Sequence, residues 1–245
     1  MNMKKLSAAI LLALASTTVM ADYQAEGTVT YLSADNDVDL FTLGGVYHFN
    51  TVSTDSHPLA EAAFLERSNN VSLTLGKKSM DAGDQDTAIA AVEIYIPEAM
   101  LYIAPFYRYD KYKPDGGVNS SENDWGVRIG LTPIEGFRVA TTWSDEVDYE
   151  LNFDVKYVLK LANDTALNLE FGFAEALEGG DDLVSAAVDY YFNRTFSVGL
   201  GIEDQYDTIY ELRTRKFFTD SFSAFASYYN ADDADAWKIG ASLRF

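Results

Sequence analysis

The sequence predicts an all-β chain: an antiparallel up-and-down transmembrane β-barrel of fourteen strands, with twelve as the smaller alternative. Three observations predict it. Apolar and polar residues alternate in run after run along the chain. Every second connection between those runs is acidic. The chain opens on an export-type leader and closes on a strand whose last residue is Phe245. Alternation matters because successive side chains of a strand point to opposite faces, so period two gives one apolar and one polar face.

The leader comes first. Lys4 and Lys5 precede the apolar stretch Leu6 to Ala15, and Val19-Met20-Ala21 supplies small residues at the −3 and −1 positions, which places cleavage before Asp22. The stretch is too short to span a bilayer comfortably as a helix. The domain reading is therefore a signal peptide over 1–21 and a single outer-membrane barrel over 22–245. Loss of the two lysines takes the net charge from −20 to −22, which argues against nucleic acid as a partner. The absence of cysteine excludes disulfides, thiolate metal sites and a cysteine nucleophile. Mean hydropathy near zero does not separate a soluble β-protein from a membrane barrel, because barrel strands hide their apolar residues by alternation.

The strands are expected at 22–33, 38–49, 66–78, 86–96, 100–111, 123–133, 136–144, 149–161, 165–174, 183–193, 195–204, 208–218, 221–230 and 236–245. In the sixth, Trp125, Val127, Ile129 and Leu131 alternate with Gly126, Arg128, Gly130 and Thr132. In the ninth, Leu167, Leu169, Phe171 and Phe173 alternate with Asn168, Glu170, Gly172 and Ala174. In the last, Trp237, Ile239, Ala241, Leu243 and Phe245 alternate with Lys238, Gly240, Ser242 and Arg244. A soluble sandwich also alternates, but these polar faces are rich in Gly, Ser, Asn and isolated charges of both signs, which suits a crowded wet lumen. Tyr23, Tyr31, Phe41, Phe49, Tyr190 and Phe192 sit near the ends of apolar faces, as an aromatic girdle requires.

An even strand count puts both termini on one side, the periplasm. Tight connections then fall there, as at Pro97-Glu98-Ala99, Glu135-Gly136 and Arg194, while the longer ones fall outside, the longest being Tyr112 to Glu122. The outer connections and their rims carry Asp35, Asp37 and Asp39, then Asp81, Asp84 and Asp86, and finally Asp232, Asp233 and Asp235. One long segment, Asn50 to Leu65, breaks the rule on the periplasmic side. Its Pro58-Leu59-Ala60-Glu61-Ala62-Ala63-Phe64-Leu65 favours a short helix starting near Pro58; the segment running directly into the third strand is the alternative.

At this segment the sequence resembles a known family. Pro58 to Leu65, followed by Glu66-Arg67-Ser68-Asn69-Asn70-Val71, is similar to the hallmark stretch of the small general porins of gammaproteobacterial outer membranes. Gly44-Gly45-Val46-Tyr47-His48-Phe49 is similar to that family's second strand. The resemblance implies a channel in a Gram-negative outer membrane for ions and small hydrophilic solutes, with no catalytic residues and no defined substrate. Phe245 resembles the C-terminal aromatic assembly signal of outer-membrane proteins, which implies the barrel assembly machinery as a partner.

Other chemistry is weakly supported. The chain has two histidines, His48 and His57, both toward the periplasmic end and without an obvious serine–acid partnership in sequence. The acidic runs Asp232 to Asp235 and Asp81 to Asp86 supply hard oxygen ligands but match no complete calcium loop, so loose Ca²⁺ or Mg²⁺ bridging to lipopolysaccharide is the expectation, with no specific metal site and no cofactor.

The lumen is the candidate site. Alternation points Arg128, Arg138, Lys156, Lys160, Arg213, Arg215, Lys238 and Arg244 inward, with Glu26, Glu93, Asp154, Glu170, Asp189, Glu203 and Glu211. A lysine or arginine on the lipid face would cost about 2–4 kcal/mol at the midplane, so inward placement is favoured. Two readings compete: the charges set a transverse field across a water-filled pore, or they pair across a plugged interior and only stabilise the wall. Fourteen strands about 4.8 Å apart and tilted about 40° give a backbone circle roughly 28 Å across, leaving about 10 Å after side chains. The outer loops are short for constriction loops. The expectation is an open, monomeric, weakly cation-selective diffusion channel constricted by side chains more than by a loop, with Arg213 and Arg215 forming a basic ladder together with Arg128 or Arg138. A structural or adhesive barrel with a closed lumen is the alternative, and a hydrolase the third.

Overall fold

The computed structural model describes residues 22–35, 37–146, 149–177, 180–232 and 234–245. The expected leader, 1–21, and Asp233 of the last acidic loop lie outside them. Fourteen strands follow in chain order: β1 (Tyr23–Ala34), β2 (Val38–Val52), β3 (Asn70–Met80), β4 (Gly83–Ile96), β5 (Leu101–Pro114), β6 (Ser120–Leu131) and β7 (Phe137–Ser144), then β8 (Tyr149–Lys160), β9 (Ala166–Ala176), β10 (Leu183–Asn193), β11 (Phe196–Asp204), β12 (Thr208–Phe217), β13 (Phe222–Asn230) and β14 (Asp235–Arg244). Each pairs antiparallel with its chain neighbour, and β1 pairs with β14 from Glu26 opposite Arg244 to Ala34 opposite Ala236. The sheet is closed, so it has no edge strand and no unpaired ladder to shield from lipid. The twelve-strand alternative is excluded.

The start of β1 and the C-terminus meet at one end of the barrel, called the terminal end below; the other is the distal end. The Gln24 and Ala25 amides donate to the Phe245 carbonyl at 2.7 and 3.1 Å, and the Phe245 amide donates back to the Ala25 carbonyl at 2.9 Å. The last residue therefore closes the wall in its own backbone.

The outer face is the apolar one. Trp125, Ile129 and Leu131 of β6, Leu73 and Leu75 of β3, and Trp237 and Ile239 of β14 are all exposed. In water such a continuous apolar surface would be strongly unfavourable, and lipid is the environment it fits. Charges on this face stay at the rims. Lys77 pairs with Asp84 and Lys113 with Asp86 near the distal end. Lys216, at the terminal end, holds its ammonium 5.9 Å from the centre of the Phe196 ring and donates to the Thr195 hydroxyl at 2.8 Å, keeping its charge at the rim.

Several strand boundaries differ from expectation, and in two regions the physical reason is plain. The loop expected over 112–122 shrinks to 115–119, because Tyr112 pairs with Ser120 and Gly83 with Pro114, carrying the ladder past the apolar pattern. At the terminal end β3 begins at Asn70 and not at 66. The Glu66 amide bonds to the Ala62 carbonyl and the Ser68 amide to that of Ala63, holding the chain in a helical turn until Arg67 breaks it with φ of 48°.

Candidate functional site: the charged barrel interior

The segment between β2 and β3 does not hang below the barrel. It folds into it. A 3₁₀ turn (Leu59–Glu61) runs into one α-helical turn (Ala62–Leu65), and Leu59, Glu61, Ala62 and Leu65 are all buried. The wall receives this segment with polar groups matched to its backbone. Arg194, in the β10–β11 turn, donates to the Thr54 carbonyl at 2.5 Å and the His57 carbonyl at 3.2 Å, and its own carbonyl accepts from the Leu59 amide at 2.8 Å. Arg244 donates to the Leu59 carbonyl at 2.9 Å. Glu61 accepts from the Tyr191 hydroxyl at 2.7 Å and pairs with Lys156 at 2.9 Å. Phe64 lies under the Arg138 and Lys156 cations, 5.5 and 5.1 Å away. The segment thus crosses from β10 and β14 to β7 and β8.

This corrects one expectation. The interior is narrowed by a loop as well as by side chains, and the loop comes from the terminal end, not from the distal connections. The reason lies in Leu59, Ala62 and Leu65. Spaced by three, they share one side of a short helical run, and a connection outside the lipid slab has no other apolar cover to offer them.

Above this segment a charged belt rings the wall. Arg213 of β12 is its hub. It reaches both oxygens of Asp189 at 2.6 and 2.7 Å, Glu170 at 3.2 Å and Glu211 at 3.5 Å. Asp189 and Arg213 sit in one row with Gly199 between them. A Cβ on Gly199 would come within 2.0 Å of the Asp189 carboxylate, so the missing side chain is what lets the pair meet. Asn168 donates to Glu170 at 2.8 Å and to Asp189 at 2.9 Å. Lys156 also reaches Glu170 at 3.4 Å.

The other inward cations are placed as follows. Arg128 pairs with Asp154. Arg138 approaches Glu93 at 3.8 Å, donates to the Tyr95 hydroxyl at 3.1 Å and lies over the Tyr102 ring at 4.4 Å. Arg244 bonds Glu26 at 2.5 Å between the rings of Tyr23 and Phe217. Lys160 pairs with Glu135 at 2.8 Å at the terminal rim. Lys238 donates to the Tyr229 hydroxyl at 2.5 Å. Arg215 lies over the rings of Phe225 at 4.7 Å and Phe217 at 5.9 Å.

Arg213 and Arg215, the two neighbouring members of the expected basic ladder, differ in pairing: Arg213 is enclosed by three carboxylates, while no ion pair to the Arg215 side chain is present among the described residues. Glu61 and Phe64 were missed by alternation, since they lie on no strand. The only sequence signal for them was the length of the connection and its helical spacing.

Among the described residues, connected cavities follow one another through the interior. One of about 290 Å³ is lined by Glu203, Glu211 and Arg213. The next, about 300 Å³, shares Glu211 and Arg213 and adds Asp189, Lys156, Arg215 and Lys238. The third, about 410 Å³, lies toward Tyr23 and is lined by Glu26, Glu93, Arg138 and Arg244. Ala60, Glu61, Lys156 and Arg215 line both of the last two, so the inward segment stands between them.

The histidines find partners the sequence did not reveal. The His48 Nδ1 lies 2.9 Å from the Ser68 hydroxyl, and the His57 Nε2 lies 2.7 Å from Glu66. The serine and the carboxylate serve different rings, so the two pairs do not assemble one relay.

A closed barrel with a lipid-facing apolar exterior and an interior lined by charges of both signs defines a membrane channel of the porin class. The comparisons agree. The family model described as "Putative general bacterial porin" matches residues 3–104 and 122–245, and the chain belongs to that family. Among curated protein sequences none matches. The crystal structure of the Acinetobacter baumannii outer membrane protein Omp33 superposes with a TM-score of 0.76 at 22% identity, covering 92% of this chain and 99% of that one. The KdgM porin in complex with disordered oligogalacturonate gives a TM-score of 0.48 at 9% identity, over 90% of this chain and 99% of that one. The protein is an outer-membrane porin with fourteen transmembrane strands.

Proposed function

We propose that this porin passes ions and small hydrophilic solutes by passive diffusion, with a weak preference for cations. The observation that carries the reading is a strongly acidic distal rim over a lumen of mixed charge. Asp35, Asp39, Asp81, Asp181, Asp182, Asp207 and Asp232 lie at or near the distal connections, on a chain of net charge −20 with its leader. Their field raises cation concentration at the mouth within about 8 Å at physiological salt and within about 3 Å at 1 M. Planar-bilayer reversal potentials across a KCl gradient test it. Cation preference at low salt that fades toward 1 M is expected; anion preference at low salt ends the reading.

A second reading has a specific observation in its favour. The inward segment Leu59–Leu65 supports a closed barrel of structural or adhesive role. Liposome swelling with sugars of graded size separates the two, since a closed barrel admits none of them. We further propose that residues 1–21 are the cleaved leader, that Phe245 is read by the barrel assembly machinery, and that the porin is a monomer. The acidic rim fits loose Ca²⁺ or Mg²⁺ bridging to lipopolysaccharide.

A further inference from the structure

We propose that Arg215 is a carboxylate-binding position inside the lumen, which takes the carboxylate group of a small organic solute. The starting point is its pairing state. The inward arginines Arg128, Arg138, Arg213 and Arg244 each have a carboxylate partner, as does Lys156. Among the described residues the Arg215 side chain has neither an ion pair nor a hydrogen bond; its ring contacts are Phe225 and Phe217.

Its neighbours do not neutralise it. Glu61 is held by Tyr191 and Lys156, Asp189 and Glu211 by Arg213, and Glu26 by Arg244. Glu170 also accepts from Asn168, and Glu93 from Tyr102 and Asn70, so each carboxylate lining the two cavities beside Arg215 is bonded to a donor other than Arg215, with Arg213 shared among three of them. A guanidinium left over in this way keeps its full charge and all five N–H groups for an incoming acceptor.

The site is also built. Phe225 lies in the row between Arg215 and Gly240, and a Cβ on Gly240 would meet the Phe225 ring at 2.3 Å. The glycine lets the ring lie along the wall as a platform. A cation–π contact consumes no N–H donor, so the two rings hold Arg215 in place while its donors stay available. A planar carboxylate is the acceptor that matches two parallel N–H groups of a guanidinium. The neighbouring row position on β11 is the small Ser197, which lines the 300 Å³ cavity with Arg215 and leaves room beside it. Arg215 lines the 410 Å³ cavity as well, so a solute on either side of the inward segment reaches it.

The proposal rests on the porin reading only in requiring that solutes enter the lumen. Saturation-transfer NMR on the folded full-length mature barrel in neutral detergent tests it, with propionate and its neutral isostere propionamide as probes. Propionate is expected to receive saturation and propionamide much less. Arg215→Gln is expected to weaken propionate binding by about tenfold or more, the scale of a lost charge-assisted bond. Arg215→Lys keeps the charge without the fork and should fall between the two. Equal transfer to both probes in the wild-type barrel overturns the proposal without any variant. Unchanged propionate transfer in either variant also overturns it, and means a nonspecific anion atmosphere only. Bilayer currents separate the two claims: no conductance with propionate binding intact sinks the porin reading and leaves the subsite standing, whereas conductance with indifferent probes does the reverse.

Discussion

The distal and terminal halves of the interior are built on different principles. Distally the connections are short and acidic and their contacts are local: the Asp235 amide on Asp35, the Tyr31 hydroxyl on Asp39, the Ala176 amide on Asp182. At the terminal end one connection leaves the rim and enters the barrel, where Arg194, Arg244, Tyr191 and Lys156 from four separate places on the wall hold it. The difference teaches that mouth charge and bore width are set independently. Charge is a property of sequence at the rim. Width depends on a segment that could equally have been a plain turn.

The largest expected effect therefore comes from removing the terminal plug. Replacing residues 55–66 with a short Gly-Ser turn should raise single-channel conductance by about twofold or more, because the bore then approaches the side-chain-limited width of a fourteen-strand barrel. Unchanged conductance would mean that ions already bypass the segment, and the contrast between the halves would lose its functional meaning.

Next come the two neighbouring arginines. Arg213→Gln leaves Asp189, Glu170 and Glu211 facing one another without their common cation, and should destabilise the barrel by about 1–3 kcal/mol, below the full buried-pair cost because the group is partly hydrated. Arg215→Gln should cost under about 1 kcal/mol, since no carboxylate depends on it. Guanidinium unfolding of both variants in detergent measures the gap; equal losses would refute the division of roles. Deleting Phe245 removes three backbone hydrogen bonds at the barrel seam. At about 0.5–1.5 kcal/mol each, the cost appears as lower resistance to heat and detergent on gels. The smallest effect belongs to the mouth. Asp181→Asn, Asp207→Asn and Asp232→Asn together should reduce cation preference at 0.1 M KCl and leave it unaltered at 1 M, where screening already hides those charges.

How much of this could be read in advance is shown by particular residues. The inward positions of Arg128, Arg138, Lys156, Glu170 and Asp189 follow from period two, because a lipid-facing charge at mid-depth is too costly to tolerate. The strand count follows from the same period and from the recurrence of turns. Even the acidic distal end is visible, since loops keep the charges their sequence gives them. What alternation could not supply was partnership. Arg213 and Arg215 look alike on a strand two positions apart. Only the neighbouring rows, with Asp189 across Gly199 for one and Phe225 over Gly240 for the other, make one the centre of an ion-pair cluster and the other an unpaired cation. Ser68 beside His48, and Glu66 beside His57, were equally hidden until the segment folded.

The sequence by itself determined the class, the closed wall, the faces and the sign of the mouth, because these depend on local periodicity and on the cost of exposing charge to lipid. The tertiary structure alone decided where residues 53–69 go and which inward charges remain unpaired. Both depend on groups far apart in the chain: Arg244 on Leu59, Tyr191 on Glu61, Arg194 on Thr54. Such contacts form only once the barrel has closed and brought its strands around a common interior, and no period in the sequence records them.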